Sequence, residues 1–113
     1  MTFEEKFNEL KEKYAPWADF AGVDYDLAAE ITLTDADCGG TFYIAWLGKK
    51  LQIAPYNYND ATVRISIGSD LLERLLQGKE NAVKAFLRGD IDAEGDPTHA
   101  LALIEAMKRK KKR

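Results

Sequence analysis

The chain is poor in the residues from which most catalytic and metal sites are built. Its 113 residues include one cysteine, Cys38, and one histidine, His99. A single thiol excludes an intramolecular disulfide framework and fits a reducing compartment, with Cys38 read as a small loop residue. One Cys and one His do not make the ligand set of a zinc site. No Ser sits in a recognisable nucleophile elbow or triad setting, and His99 reads as a lone exposed side chain in the first turn of the last helix. Long apolar runs are missing too, and none approaches a membrane span. The N-terminal MTFEEKFNELKEK is charged throughout, unlike a secretory signal, so the expected location is cytoplasmic. Basic residues are in deficit, 16 Lys and Arg against 19 Asp and Glu for a net charge of -3, which argues against a nucleic-acid binder.

What remains is apolar and patterned. With 46% hydrophobic and 31% charged residues, the chain suits one compact domain over 1–113, taken as a monomer by default. Lys108 to Arg113, KRKKKR, gathers six of the sixteen basic residues at the C-terminus. It reads as a solvated tail complementing the negative end of the preceding helix, with transient contact to anionic membrane as the sharper alternative. The acidic stretch RGDIDAEGDP, Arg88 to Pro97, has Asp90, Asp92, Glu94 and Gly95 at the spacing of a calcium loop. Its twelfth position is Leu101, which cannot be the bidentate ligand, so the calcium reading fails. Asp35 and Asp37 sit at a turn where Asp is ordinary.

Thr2 and Glu5 have capping-box spacing, and Phe3, Phe7, Leu10 and Tyr14 follow at helical intervals, predicting a helix from Phe3 to Tyr14 that Pro16 stops. From Asp24 to Thr34 the period changes to two, a half-buried strand. After the DADCGG loop, TFYIAWL is apolar on both faces. Gly48, Lys49 and Lys50 turn the chain into LQIAPY, whose Pro55 suggests an edge, and ATVRISI makes a fourth strand. Four strands with short connections imply an antiparallel meander. Ser69 or Asp70 is expected to cap LLERLLQ, Asn81 to cap AVKAFLR, and Asp96 to cap the last helix with Pro97 at its first position. Between these helices, DIDAEGD reads as a fifth strand with an acidic outer face. The pattern is α+β: a five-stranded, mainly antiparallel sheet with helices segregated on one face.

The run LLERLLQGKENAVKAFLRGDIDAEGDPTHALALIEAM, with Leu72, Leu75, Leu76, Gly78, Phe86, Leu87, Gly89, Ile91, Gly95 and Leu101, resembles the C-terminal half of the sterol carrier protein 2 family of non-specific lipid-transfer domains. The preceding strand order is similar too, so the resemblance covers nearly the whole chain. It implies an apolar tunnel between sheet and helices that binds sterols, fatty acids or acyl-CoA without catalysis, cofactor or metal. The chain ends in KKR rather than in the targeting tripeptide of peroxisomal members, which fits a cytoplasmic, bacterial-type, stand-alone member. The candidate ligand-binding residues are Phe42, Ile44, Trp46, Ile53, Leu75, Leu76, Phe86, Leu101, Ile104 and Met107. The terminal helix is expected to be a movable wall, tied to the domain only by its apolar face. Two other classes stay open: a small isomerase or hydratase using a buried carboxylate with Tyr25 or Tyr43, and a module that docks a partner helix in the apolar groove.

Overall fold

A capping box opens the chain, as the spacing predicts. The Thr2 hydroxyl accepts from the Glu5 amide at 3.2 Å, and the Glu5 carboxylate accepts from the Thr2 amide at 2.8 Å. The computed structural model describes residues 1–108. In chain order these form α1 (Phe3–Tyr14), a 3-10 turn (Ala15–Trp17), β1 (Leu27–Leu33), β2 (Gly40–Leu47), β3 (Lys50–Ala54), β4 (Val63–Ile67), α2 (Ser69–Leu76), α3 (Ala82–Leu87), β5 (Asp92–Gly95) and α4 (Pro97–Met107). The five strands form one sheet in the order β3-β2-β1-β4-β5, with the helices over one face, so the expected α+β class holds. Of the C-terminal tail, only Lys108 lies within the described residues.

Turn chemistry sets the first hairpin. Gly48 and Lys49, both with positive φ, join β2 to β3, a geometry that matches the strand twist. Asp26, expected inside the first strand, lies just before it and accepts from the Gly48 amide at 3.1 Å. The meander then stops. Instead of folding back on β3, β4 crosses over and pairs parallel with β1, with Ala29 opposite Val63 and Leu33 opposite Ile67. The reason lies in β1, whose Leu27, Ala29, Ile31 and Leu33 are at most 2% exposed. A strand so buried cannot leave one row of amides and carbonyls unpaired, whereas β3, with Lys50, Leu51 and Gln52 exposed, tolerates an edge. The crossover runs over the outer face, where the Tyr58 amide donates to Glu30 at 2.8 Å and the Tyr58 ring lies 5.0 Å from Tyr43. At its end, Thr62 exchanges hydrogen bonds with Ala28.

The cap of α2 also differs from the sequence expectation. Ser69 and Asp70 lie inside the helix, and the N-cap is Gly68, which has no side chain to offer. A distant residue does the work: Asp35 accepts from the Ser69 amide at 2.8 Å and from its hydroxyl at 2.9 Å. Asn81 and Asp96 cap α3 and α4 as their positions predict. On α4, Leu101 faces outward, 37% exposed, while Leu103, Ile104 and Met107 turn inward.

Asp35 therefore links the β1–β2 loop to α2. Its carboxyl is held below the ordinary aspartate range, first by the Ser69 backbone hydrogen bond, with burial opposing. A folded value below the unfolded one gives stability that is complete above about pH 4 and lost as pH falls through the folded value. Asp35→Asn is expected to cost about 1–2 kcal/mol at pH 7 in urea melts and to show a smaller acid-induced decline than the wild type. An unchanged midpoint would show that the helix end is held by other means.

Candidate functional site

The helix-facing side of the sheet is floored by Ile31, Phe42, Ile44 and Ile53. They are neighbours because the register sets Ile31 opposite Phe42 and Ile44 opposite Ile53. Three helices stand over this floor. From α1 come Phe7, Leu10 and Tyr14, from α2 Leu72 and Leu76, and from α4 Leu103, Ile104 and Met107. Each set sits on one helical face, as spacings of three and four require. Between them lies a cavity of about 30 Å³, with Lys11 at its rim. That is room for a water molecule or two, yet a lining this apolar offers water no partners, so the space is expected to stay dry. A longer guest requires the walls to part.

Six of the ten sequence-predicted residues meet at this cavity: Phe42, Ile44, Ile53, Leu76, Ile104 and Met107. The other four lie elsewhere. Trp46 stacks on Phe20 at 5.2 Å and donates its indole N–H to the Val23 carbonyl at 3.0 Å. Leu75 is 1% exposed and borders a surface groove rather than the cavity, while Phe86 and Leu101 belong to an outer patch on α3 and α4. The sequence reading overlooked the whole α1 wall, together with Ile31, Leu72 and Leu103. The signal was present, since Phe7, Leu10 and Tyr14 form an apolar stripe that must cover something.

The walls are tied differently from the expectation. Besides its apolar face, α4 has polar ties at both ends: the Asp19 amide donates to the Ala106 carbonyl at 2.8 Å, and His99 Nδ1 lies 2.7 Å from the Thr62 hydroxyl. His99 is thus not the exposed residue expected; its side chain is 16% exposed and stacks on Tyr25 at 4.8 Å. By contrast, α1 meets α2 through side chains gathered on Glu73. This carboxylate takes Lys6 at 2.8 Å, Lys13 at 3.3 Å and the Tyr14 hydroxyl at 3.2 Å, while Gln77 donates to Tyr14 at 2.9 Å.

Burial pushes the Glu73 carboxyl up, but hydrogen bonds from Lys6 and Lys13 outweigh it and leave the group below its ordinary range. Lys6 is raised, chiefly by its hydrogen bond to Glu73, and Tyr14 is raised by burial. A carboxylate this reluctant to take a proton is a poor base, and a phenol this reluctant to lose one is a poor nucleophile. Tyr43, on the opposite face of the sheet, and Tyr25, beside His99, do not line the cavity. Asp35, Asp37 and Cys38 bring their ligand atoms within 4.8 Å of one another, but both Asp35 oxygens are engaged by Ser69. Burial raises the Cys38 thiol further from the thiolate that binds metals.

A five-stranded sheet with helices on one face and an apolar cavity between the layers defines a small α+β protein built around an internal pocket. The model of the SCP-2 sterol transfer family matches residues 7–108, and the chain belongs to that family. Membership makes lipid binding or transfer its general class of function. Comparison of the sequence with curated proteins finds no match. Among solved structures, the palmitated form of a sterol carrier protein 2-like protein from Aedes aegypti aligns over 100% of both chains, with 15% identity and a TM-score of 0.67. The apo form of sterol carrier protein 2 from Yarrowia lipolytica aligns over 88% of both, with 18% identity and a TM-score of 0.55. A stereoselective inverting sec-alkylsulfatase from Pseudomonas sp. gives a TM-score of 0.73 at 14% identity over 87% of this chain, which spans only 16% of the sulfatase. These likenesses are of fold.

The Glu73 cluster holds the α1 wall, so its loss is expected to act locally. Glu73→Gln should cost about 2 kcal/mol, since Lys6 loses a charge-assisted partner at a nearly buried position. Amide hydrogen exchange should quicken across residues 3–14 while β1 stays protected. Exchange that rises equally in β1 and α1 would show that the cluster supports the whole fold rather than one wall.

Proposed function

We propose that the protein binds a long-chain lipid, a fatty acid or fatty acyl group first among them and sterols next, in the cavity between sheet and helices, and carries it unchanged. The observation behind this is the chemistry of the lining. Apart from Lys11 at the rim, the lining side chains are apolar or, like Tyr14, turn their polar atom away to Glu73 and Gln77. Such a surface can recognise methylene groups and little else, each worth about 0.8 kcal/mol on leaving water. Family membership and the palmitated structural relative support the same reading.

Lys11 supplies the polar end. An exposed ammonium at the rim of an apolar cavity suits a carboxylate or phosphate head that remains in solvent while the chain enters. The reading takes the protein as a cytoplasmic monomer of one domain, without cofactor, metal or nucleic acid. Among the described residues, no helix is long and apolar enough to cross a membrane.

Native mass spectrometry of protein purified from its host should show an adduct of lipid mass. A clean apo mass, together with failure to displace a fluorescent fatty acid, would sink the reading. Lys11→Gln should weaken a long-chain fatty acid about fivefold and leave the matching fatty alcohol unchanged, because only the acid presents a charge. The isomerase alternative requires instead a turnover abolished by His99→Ala or Tyr43→Phe.

A further inference from the structure

Outside the cavity, α3 and α4 leave apolar side chains in water. Val83 and Leu87, one helical turn apart on α3, are 50% and 83% exposed, and Leu101 on α4 is 37% exposed. With Phe86 and Pro97 they line one shallow patch. Apart from Leu51 on the edge strand β3, the other leucines are buried or half-buried, so this cluster forgoes the burial that drives folding and marks a surface made to be covered. Beside it a groove opens between α3 and the second half of α4, bordered by Val83, Leu101, Lys79 and Lys108. Ile104 lines both this groove and the interior cavity, and so stands between them.

The surroundings of the patch are basic. Lys79 and Lys108 line the adjoining groove, and Lys84 and Arg88 follow directly on Val83 and Leu87 in the chain. Glu80 and Asp90 lie 3.3 and 2.9 Å from Arg88, and Glu105 lies 3.8 Å from Lys108, so these pairs largely neutralise one another and the surplus positive charge is carried by Lys79 and Lys84. Five more basic residues, Arg109 to Arg113, follow directly in the sequence, in a chain whose net charge is -3. The described residues thus give this face a small positive surplus, to which the sequence adds the basic run that follows Lys108.

We propose that this face seats on an anionic bilayer, with Val83, Leu87 and Leu101 dipping among the lipids and the lysines meeting the headgroups. The α3–α4 groove is then the passage by which an acyl chain passes Ile104 into the cavity. The charge favours a bilayer over a protein partner: long basic side chains extend to headgroups while short apolar ones enter the layer. The passage rests on the lipid-carrying reading above, whereas the seating does not.

Flotation with vesicles of phosphatidylcholine alone, and with added phosphatidylglycerol, tests it on the full chain. The wild type should float with the anionic vesicles at low salt and be largely released at molar salt. The double variant Val83→Ser, Leu87→Ser should bind them about tenfold more weakly, and Lys84→Glu should weaken binding in the same direction. All three substitutions are at exposed positions, so thermal melts should be unchanged; for Leu87→Ser alone and for Lys84→Glu, which lie outside the groove, affinity for a fluorescent fatty acid in vesicle-free solution should be unchanged too. Transfer of that fatty acid from anionic vesicles should slow with the loss of flotation. Absence of wild-type flotation, or equal flotation by wild type and double variant, would overturn the seating. So would a dimer on gel filtration that the double variant dissociates without any flotation, since the face would then be a protein interface. If the wild type floats but binds no fatty acid in solution, the seating stands and the cavity reading falls.

Discussion

Everything in this fold answers to the burial of one strand. β1 is so apolar that it must be hydrogen-bonded along both edges and covered on both faces. β2 takes one edge through a short loop, and β4 has to cross the sheet to take the other. The crossover is itself the cover of the outer face, where Ala28 and Ala45 are at most 1% exposed beneath it. On the inner face, the return of β4 delivers α2, α3 and α4 over the centre of the sheet. The Asp35 cap fastens the start of α2 to the loop that leaves β1, so the same strand fixes where the helical layer begins.

The helical layer is tight on one side and loose on the other. Around the α3–α4 end the contacts are made by small residues, with Ala29, Ala85 and Ala100 fully buried. Small side chains let helix and sheet approach closely. Over β2 and β3 the cover is α1, and the meeting side chains are Phe7, Tyr14, Phe42 and Met107. There β3 is an edge with only Ile53 to offer the cavity. A gap forms there. Glu73 compensates by drawing α1 down onto α2 with charge-assisted hydrogen bonds, which fix its position without filling the space behind it.

Local pattern was readable and long-range pairing was not. The capping box of α1, the caps by Asn81 and Asp96, the hairpin at Gly48 and Lys49, and the acidic fifth strand all rest on residues a few positions apart. The meander failed because a loop length tells which strands are close in sequence, not which backbone edge has unmet hydrogen bonds. Asp35 was read as an ordinary turn residue because its partner, Ser69, is 34 positions away. For the cavity, the strand residues Phe42, Ile44 and Ile53 were legible from alternation, and Leu76, Ile104 and Met107 from helical stripes. Trp46 was misplaced because alternation gives a face but not a position along the sheet; at its end Phe20 and Val23 already occupy the indole. The α1 wall was missed because an N-terminal helix carries no sequence mark of what it packs against.

The size of the cavity and the strength of its walls bear on which guests it can hold. On the lipid-carrying reading proposed above, about 30 Å³ of room would take in little of an acyl chain before α1 or α4 shifted. Loosening the Glu73 cluster costs about 2 kcal/mol by the reasoning applied to charge-assisted hydrogen bonds, and each buried methylene contributes about 0.8 kcal/mol. The first two or three methylenes therefore only offset the opening, and net affinity comes from those beyond them. On that reading a guest of a few carbons would leave the protein closed, whereas a long chain would meet the cost early and gain with each further methylene. A preference for length would then follow from the cost of parting the walls rather than from a fitted pocket. An apolar lining without directed polar groups is compatible with that kind of selectivity and with little finer discrimination among long chains.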